Sequence, residues 1–245
     1  MSDIISRQDG DILRITLNRP EAGNGATDEM ARELKVQLDA AHERARVVVL
    51  NGAGADFCIG RASMGARPAQ QPEALDRRRQ SDVIFDAYGA IRNCRLPVIA
   101  AVQGRALGFG CAIAAVADMT IAAADAVFQI PEMEHRIMPT MVMSALVDRA
   151  TLKGLTYLVY SSAEVGPERA LAFGLVSDIV PAAELDTRVT RLCAKIIGCP
   201  PPATEGTKEY LRRALGMTTP DAVDFARNIH AVINSSSEMR RGNKT

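Results

Sequence analysis

The apolar positions change period several times along the first half of the chain, and each change predicts a different element. Leu13, Ile15 and Leu17 alternate with Arg14 and Thr16, the pattern of a half-buried strand, and Asn18-Arg19-Pro20 ends it in a turn. Beyond Thr27 the repeat lengthens to that of a helix. Thr27 is suited to cap it, Asp28 and Glu29 occupy the first turn, and Met30, Leu34, Leu38 and Ala41 share one face. The unbroken apolar run Val47-Val48-Val49-Leu50 then predicts a strand buried on both sides, followed by a glycine-broken stretch over residues 51–60.

Residues 67–72, rich in Pro, Gln and Ala, predict a mobile surface connection. Ile84, Tyr88 and Ile91 recur at helical spacing, and Pro97 introduces a strand over residues 98–102. A loop at 104–110, a small-residue helix over 111–117 and a strand around 119–122 follow. The second half reads as helices around residues 138–147, 152–160, 167–173, 183–197, 203–215 and 220–233, interrupted by a strand at 175–180. Strands alternating with helices early, and helices gathered late, predict an α/β core with a helical tail. No repeat and no charge boundary divides the chain.

A chain of 245 residues is sized for one compact unit with a sizeable core. Its hydrophobic share of 47% includes no apolar run near the length of a membrane span, and Met1-Ser2-Asp3 opens without the basic and apolar regions of an export signal. The expectation is a cytoplasmic protein with no membrane partner. Lys plus Arg and Asp plus Glu both number 29, so no net charge concentrates nucleic acid around the protein, and any bound anion must be met locally. Cys58, Cys94, Cys111, Cys193 and Cys199 are odd in number and form no C-x-x-C pair, which predicts reduced buried thiols rather than disulfides or structural zinc. With only His42, His135 and His230, and no H-E-x-x-H, no metal site is expected.

Some local patterns invite chemistry that their surroundings do not support. Gly52-Ala53-Gly54 follows a buried strand, but Phe57 stands where a dinucleotide fingerprint needs its third glycine. Ser63, in Gly60-Arg61-Ala62-Ser63-Met64-Gly65, falls one place too late for a nucleophile elbow. Arg77-Arg78-Arg79 reads as a solvated helix face before a phosphate site, and His135 as structural before a base.

Three separated segments, in order and in register, resemble the enoyl-CoA hydratase/isomerase (crotonase) superfamily. Asp56-Phe57-Cys58-Ile59-Gly60-Arg61 is similar to that family's F-C-A-G-A loop, the run from Ala101 through Gly104 and Gly108 to Cys111 to its A-V-N-G-x-A-x-G-G-G-C, and Phe128-Gln129-Ile130-Pro131-Glu132 to its F-x-x-P-E. Leu17-Asn18-Arg19-Pro20, the stretch from Ala170 to Val180, and Lys208 in a late helix match as well, so the likeness covers nearly the whole chain, although the chain stops soon after Gly242, where relatives usually continue. The resemblance implies a spiral of β-β-α units over residues 1–185 and a helical trimerisation region over 186–245, one continuous unit assembled as homotrimers or hexamers. It also implies an acyl-CoA thioester as substrate, with no separate cofactor.

By the same resemblance, the backbone N–H groups of Arg61 and Phe109 form an oxyanion hole, and Arg19, Cys58, Gly60, Ala62, Gly108 and Ala112 line the coenzyme A and thioester site. Phe109 replaces a usual glycine, so its backbone angles must suit a bulky residue. Hydratases of the family hold water between two glutamates; here Ala112 stands at the first position and Glu132 at the second. A carboxylate among Ile130, Met133, Ile137 and Met138 is expected to have a raised pKa. One such group suffices to carry a proton between two carbons, which favours Δ3,Δ2-enoyl-CoA isomerisation. Hydratase or hydrolase activity, with Glu134 or His135 positioning water, and a non-catalytic acyl-CoA-binding role stay open. Arg61 and Arg136 depart from the family pattern, and read equally as charge beside a polar acyl group or the phosphates and as surface residues.

Overall fold

The computed structural model describes residues 2–62 and 73–240, so the predicted connection at 67–72 and Ser63 lie outside the described residues. The chain opens with an antiparallel hairpin of β1 (Ile4–Asp9) and β2 (Ile12–Leu17), with Ile4 opposite Leu17. The sequence pattern missed β1 because only Ile4 of that edge strand is buried; its other positions are polar or exposed. In α1 (Asp28–Asp39) the Thr27 hydroxyl accepts the Met30 amide at 3.1 Å, and Met30, Leu34 and Leu38 are buried as the helical period requires. Ala41, placed on that face from sequence, lies instead in a short 3-10 turn after the helix.

β3 (Val47–Gly52), α2 (Ala74–Asn93) and β4 (Val98–Val102) follow, then β5 (Arg105–Leu107), α3 (Phe109–Val116), β6 (Met119–Ala123) and β7 (Val127–Gln129). Beyond them lie α4 (Thr140–Leu146), α5 (Leu152–Ser161), α6 (Pro167–Phe173), β8 (Asp178–Val180) and α7 (Leu185–Ile197). Helices α8 (Pro201–Ala214), α9 (Thr219–Asn234) and α10 (Ser237–Arg240) end the described chain. β5 corrects the expectation of a loop at 104–110, β7 lies where the sequence pattern assigned no element, and α3 starts two residues earlier than its small-residue run suggested. The expected strand at 175–180 begins pairing only at Asp178, although Leu175 and Val176 are buried.

Among the described residues, the main sheet runs β1-β2-β3-β4-β6-β8, parallel after the first pair, while β5 and β7 form a separate parallel pair. Both faces of the main sheet are covered, and the side-chain period of two sorts its residues cleanly. Val48, Leu50, Val98, Ala100 and Val102 face the larger core with α1, α2 and α3. Val47, Val49, Ile99 and Ala101 face the other way, onto Leu185, Val189 and Cys193 of α7.

Helix α8 is tied to the body of the protein by polar links: Glu205 pairs with Arg95 at 2.9 Å, Arg212 donates to the Asn93 side-chain oxygen at 2.6 Å, and Lys208 makes the buried contact. Lys208 of α8, 8% exposed, donates to the Leu96 carbonyl at 2.8 Å and pairs with Asp118 at 2.7 Å. Tyr210 stacks on Phe225 of α9, a helix with no buried residue, and Leu211, Leu215, Val223 and Val232 stay exposed. No helix among the described residues is long and apolar enough to cross a membrane.

Candidate active site

Three parallel extended segments lie side by side and deliver the candidate groups at their carboxyl ends, the customary ligand edge of α/β structures. The middle one is β5. On one side the Cys58 amide donates to the Arg105 carbonyl at 3.0 Å and the Leu107 amide to the Cys58 carbonyl at 2.9 Å. On the other, β5 pairs with β7, and the Gly108 amide donates to the Gln129 carbonyl at 2.9 Å. Asp56 clamps the start of the array by pairing with Arg105 at 2.7 Å, and that guanidinium holds the Asp56 carboxyl below its usual pKa.

The orientation of the two candidate amides follows from peptide geometry. In a trans peptide the C=O and the next N–H point in opposite directions, and no described peptide is cis. The Gly60 carbonyl accepts from the Ala26 amide at 2.8 Å, so the Arg61 N–H is directed away from Ala26, toward the β5 side. The Gly108 carbonyl accepts from Ala112 at 2.9 Å inside α3, so the Phe109 N–H points out of the amino-terminal end of that helix, where helical amides have no internal partner and the helix dipole is positive. Phe109 itself is not among the residues with positive φ; Gly108 takes the unusual conformation instead, with φ 48° and ψ −112°. The glycine preceding it is what lets a bulky residue occupy this place. Close approach sets a second demand, because a Cβ on Gly110 would stand 2.1 Å from the Cys58 carbonyl oxygen.

Glu132 leaves β7 in the 3-10 turn Pro131–Met133 and is 7% exposed, with its Oε2 buried and unpartnered. Burial raises its pKa, opposed by its own backbone amide and by the charge of His135. The expected neighbourhood needs correction: Ile130 is buried, but Met133, Ile137 and Met138 are 43%, 39% and 69% exposed. Met133 points outward from the turn, Ile137 and Met138 lie exposed in the stretch beyond it, and the buried groups that feel the Glu132 charge include Tyr88 and Cys111. Glu134, His135 and Arg136 are exposed.

Cys58, Gly60, Arg61, Gly108 and Phe109 are thus brought to one place, with Ala112 fully buried on the first turn of α3. Cys58 and Cys111 are buried thiols pushed up to about 12 by desolvation, which makes them packing groups. Arg19 braces the neighbouring loop, donating to the Gly25 carbonyl at 2.7 Å, and Ala62 is exposed, its amide bonded to Ala26. The Arg61 side chain pairs with Asp28 at 2.6 Å, which neutralises it, while its Nε is buried without a partner. Tyr88 was read from sequence only as a core position of α2. Its phenol was the available signal, because a buried tyrosine hydroxyl needs a polar neighbour.

Residues 7–245 match the model of the enoyl-CoA hydratase/isomerase family, and the chain belongs to that family, within the crotonase superfamily. A probable enoyl-CoA hydratase of Rhodobacter capsulatus is 29% identical over 93% of this chain and 88% of its own. The crystal structure of an enoyl-CoA hydratase from Mycobacterium smegmatis shares the fold, with TM-score 0.91 and 24% identity over 97% of this chain and 93% of that one. A putative enoyl-CoA hydratase from Thermobifida fusca, solved in complex with CoA, has TM-score 0.84 and 25% identity over 94% and 92%.

Proposed function

We propose that this protein binds an acyl-CoA thioester, stabilises its enolate, and moves a double bond from C3 to C2 of a 3-enoyl-CoA. Glu132 takes a proton from C2, charge gathers on the thioester oxygen, and the same carboxyl returns the proton to C4. Two amides aimed at that oxygen lower the barrier, each worth about 3 kcal/mol where such donors have been removed. The observation that carries the reading is the buried, unpartnered Oε2 of Glu132 beside a helix start at which Ala112 offers no second carboxylate. A raised pKa suits a group that must both accept and return a proton.

Mixing a 3-enoyl-CoA with the protein is expected to generate the conjugated 2-enoyl thioester, and Glu132→Gln to abolish this while CoA binding persists. Absence of conjugation across chain lengths would reject the isomerase reading. Hydration is the second reading, favoured by the hydratase names of the relatives. It predicts that a 2-enoyl-CoA loses its conjugation with uptake of labelled water. Assembly as a homotrimer or hexamer is part of the same proposal, supported by the exposed apolar side chains of α8 and α9, and sedimentation reads it directly.

A further inference from the structure

An amide that must stay free for a thioester oxygen can be held in place only from its flanks. For Arg61 those flanks are bonded: the Gly60 carbonyl accepts from the Ala26 amide at 2.8 Å and from the buried Cys58 thiol at 3.5 Å, and the Ala62 amide donates to the Ala26 carbonyl at 2.9 Å. Gly60, at φ 110°, has no side chain to stop the peptide after it from turning, so these outside restraints set its direction. The Arg61 side chain adds one more, because its Nη2 donates to Asp28 Oδ1 at 2.6 Å. Asp28 opens α1 two residues beyond Ala26, so one short stretch of chain grips Arg61 by main chain and by side chain.

We propose that Asp28 is a positioning residue for the reaction assigned above: by tying down the Arg61 side chain it keeps the Arg61 amide on the thioester oxygen. The proposal rests on that amide being one of the two oxyanion donors, and it names the side chain that keeps it aimed. The guanidinium is mostly covered, with its side chain 27% exposed and its Nε buried without a partner, and among the described residues its ion-pair partner is Asp28. A part-buried cation stripped of its counter-charge is driven toward water, and Arg61 takes its amide with it. Arg32, one turn further along α1, pairs with Glu29 at 3.3 Å and leaves Asp28 to Arg61.

The Asp28 side chain is 39% exposed, so Asp28→Asn leaves the core untouched. With a 3-enoyl-CoA this variant is expected to lower kcat and kcat/KM together, about fivefold, as for the loss of a well-formed exposed ion pair whose effect is felt in the transition state. Asp28→Glu is expected to recover most of that loss. Arg61→Met keeps the main-chain amide and is expected to lose the same amount, and adding Asp28→Asn to it to cost nothing further. An acid that served only the positive end of α1 would cost the same in both backgrounds. Infrared difference spectra of a bound saturated acyl-CoA read the site without turnover: the thioester carbonyl stretch is expected to fall on binding to wild type and to fall less in Asp28→Asn. Equal losses from Asp28→Asn with and without Arg61, or a carbonyl shift that the variant leaves unchanged, overturn the proposal. A wild type whose bound carbonyl does not shift at all rejects the oxyanion hole on which it stands.

Discussion

Cys58 and Ala106 stand side by side as a single parallel bridge, and Arg61 and Phe109 each lie three residues beyond it on their own segments. That one pairing sets two distant stretches of chain side by side, so both candidate amides lie near the carboxyl ends of neighbouring parallel segments. On the outer flank, the Ala26–Arg61 bridge turns the Gly60 carbonyl away and thereby aims the Arg61 amide inward.

Gly108 carries the conformational cost of that arrangement. At φ 48° and ψ −112° an added methyl group is strained by at least about 1–3 kcal/mol, or the peptide that presents the Phe109 amide must rotate. Gly108→Ala is expected to melt lower and to lose most of its enolate-forming activity, in paired thermal and deuterium-exchange measurements. Retention of both would mean that the backbone at this position is not constrained as described.

Glu132 links the site to stability. Its pKa is raised in the folded protein, so its contribution to stability is fully present below the pKa of the unfolded chain and is lost as pH rises through the folded value. Glu132→Gln removes the buried charge and is expected to melt higher than wild type at pH 8, by roughly 2–4 °C for each kcal/mol recovered. The two curves should converge as pH falls toward 4. A variant that is less stable at pH 8 would show that the carboxylate is held by partners rather than exposed to desolvation.

Lys208 supplies a test of how the late helices are fastened. Its ammonium group lies against the Leu96 carbonyl and Asp118, whose carboxylate also accepts the Val98 amide at 2.7 Å at the start of β4. Lys208→Met leaves that carboxylate without its cation and is expected to cost about 3 kcal/mol, read as a fall in melting temperature of roughly 6–12 °C. Little change would mean that α8 is held by its apolar contacts and by the Arg95–Glu205 and Arg212–Asn93 links instead.

Much of the fold was legible because local periodicity reports which face of an element is buried. The continuous run Val47 to Leu50 announced a strand covered on both sides, and Thr27 marked where α1 begins. Glu132 could be picked out as a buried carboxylate, yet of its supposed neighbours only Ile130 is buried: Met133, in the 3-10 turn, and Ile137 and Met138 beyond it are exposed. Arg61 was visible as an odd residue, but whether it offers free charge depended on Asp28, which lies far back in the sequence.

By itself, then, the order of residues determined the alternation of strands and helices, the places where only glycine serves, and which acid enters the interior. Tertiary structure decided the rest: β5 and β7, too short to declare themselves, pair across an intervening helix and strand, and Tyr88 meets Phe109 from a different helix. Such features arise from pairings between residues far apart along the chain, and a pattern confined to neighbouring positions records burial without saying what lies on the other side.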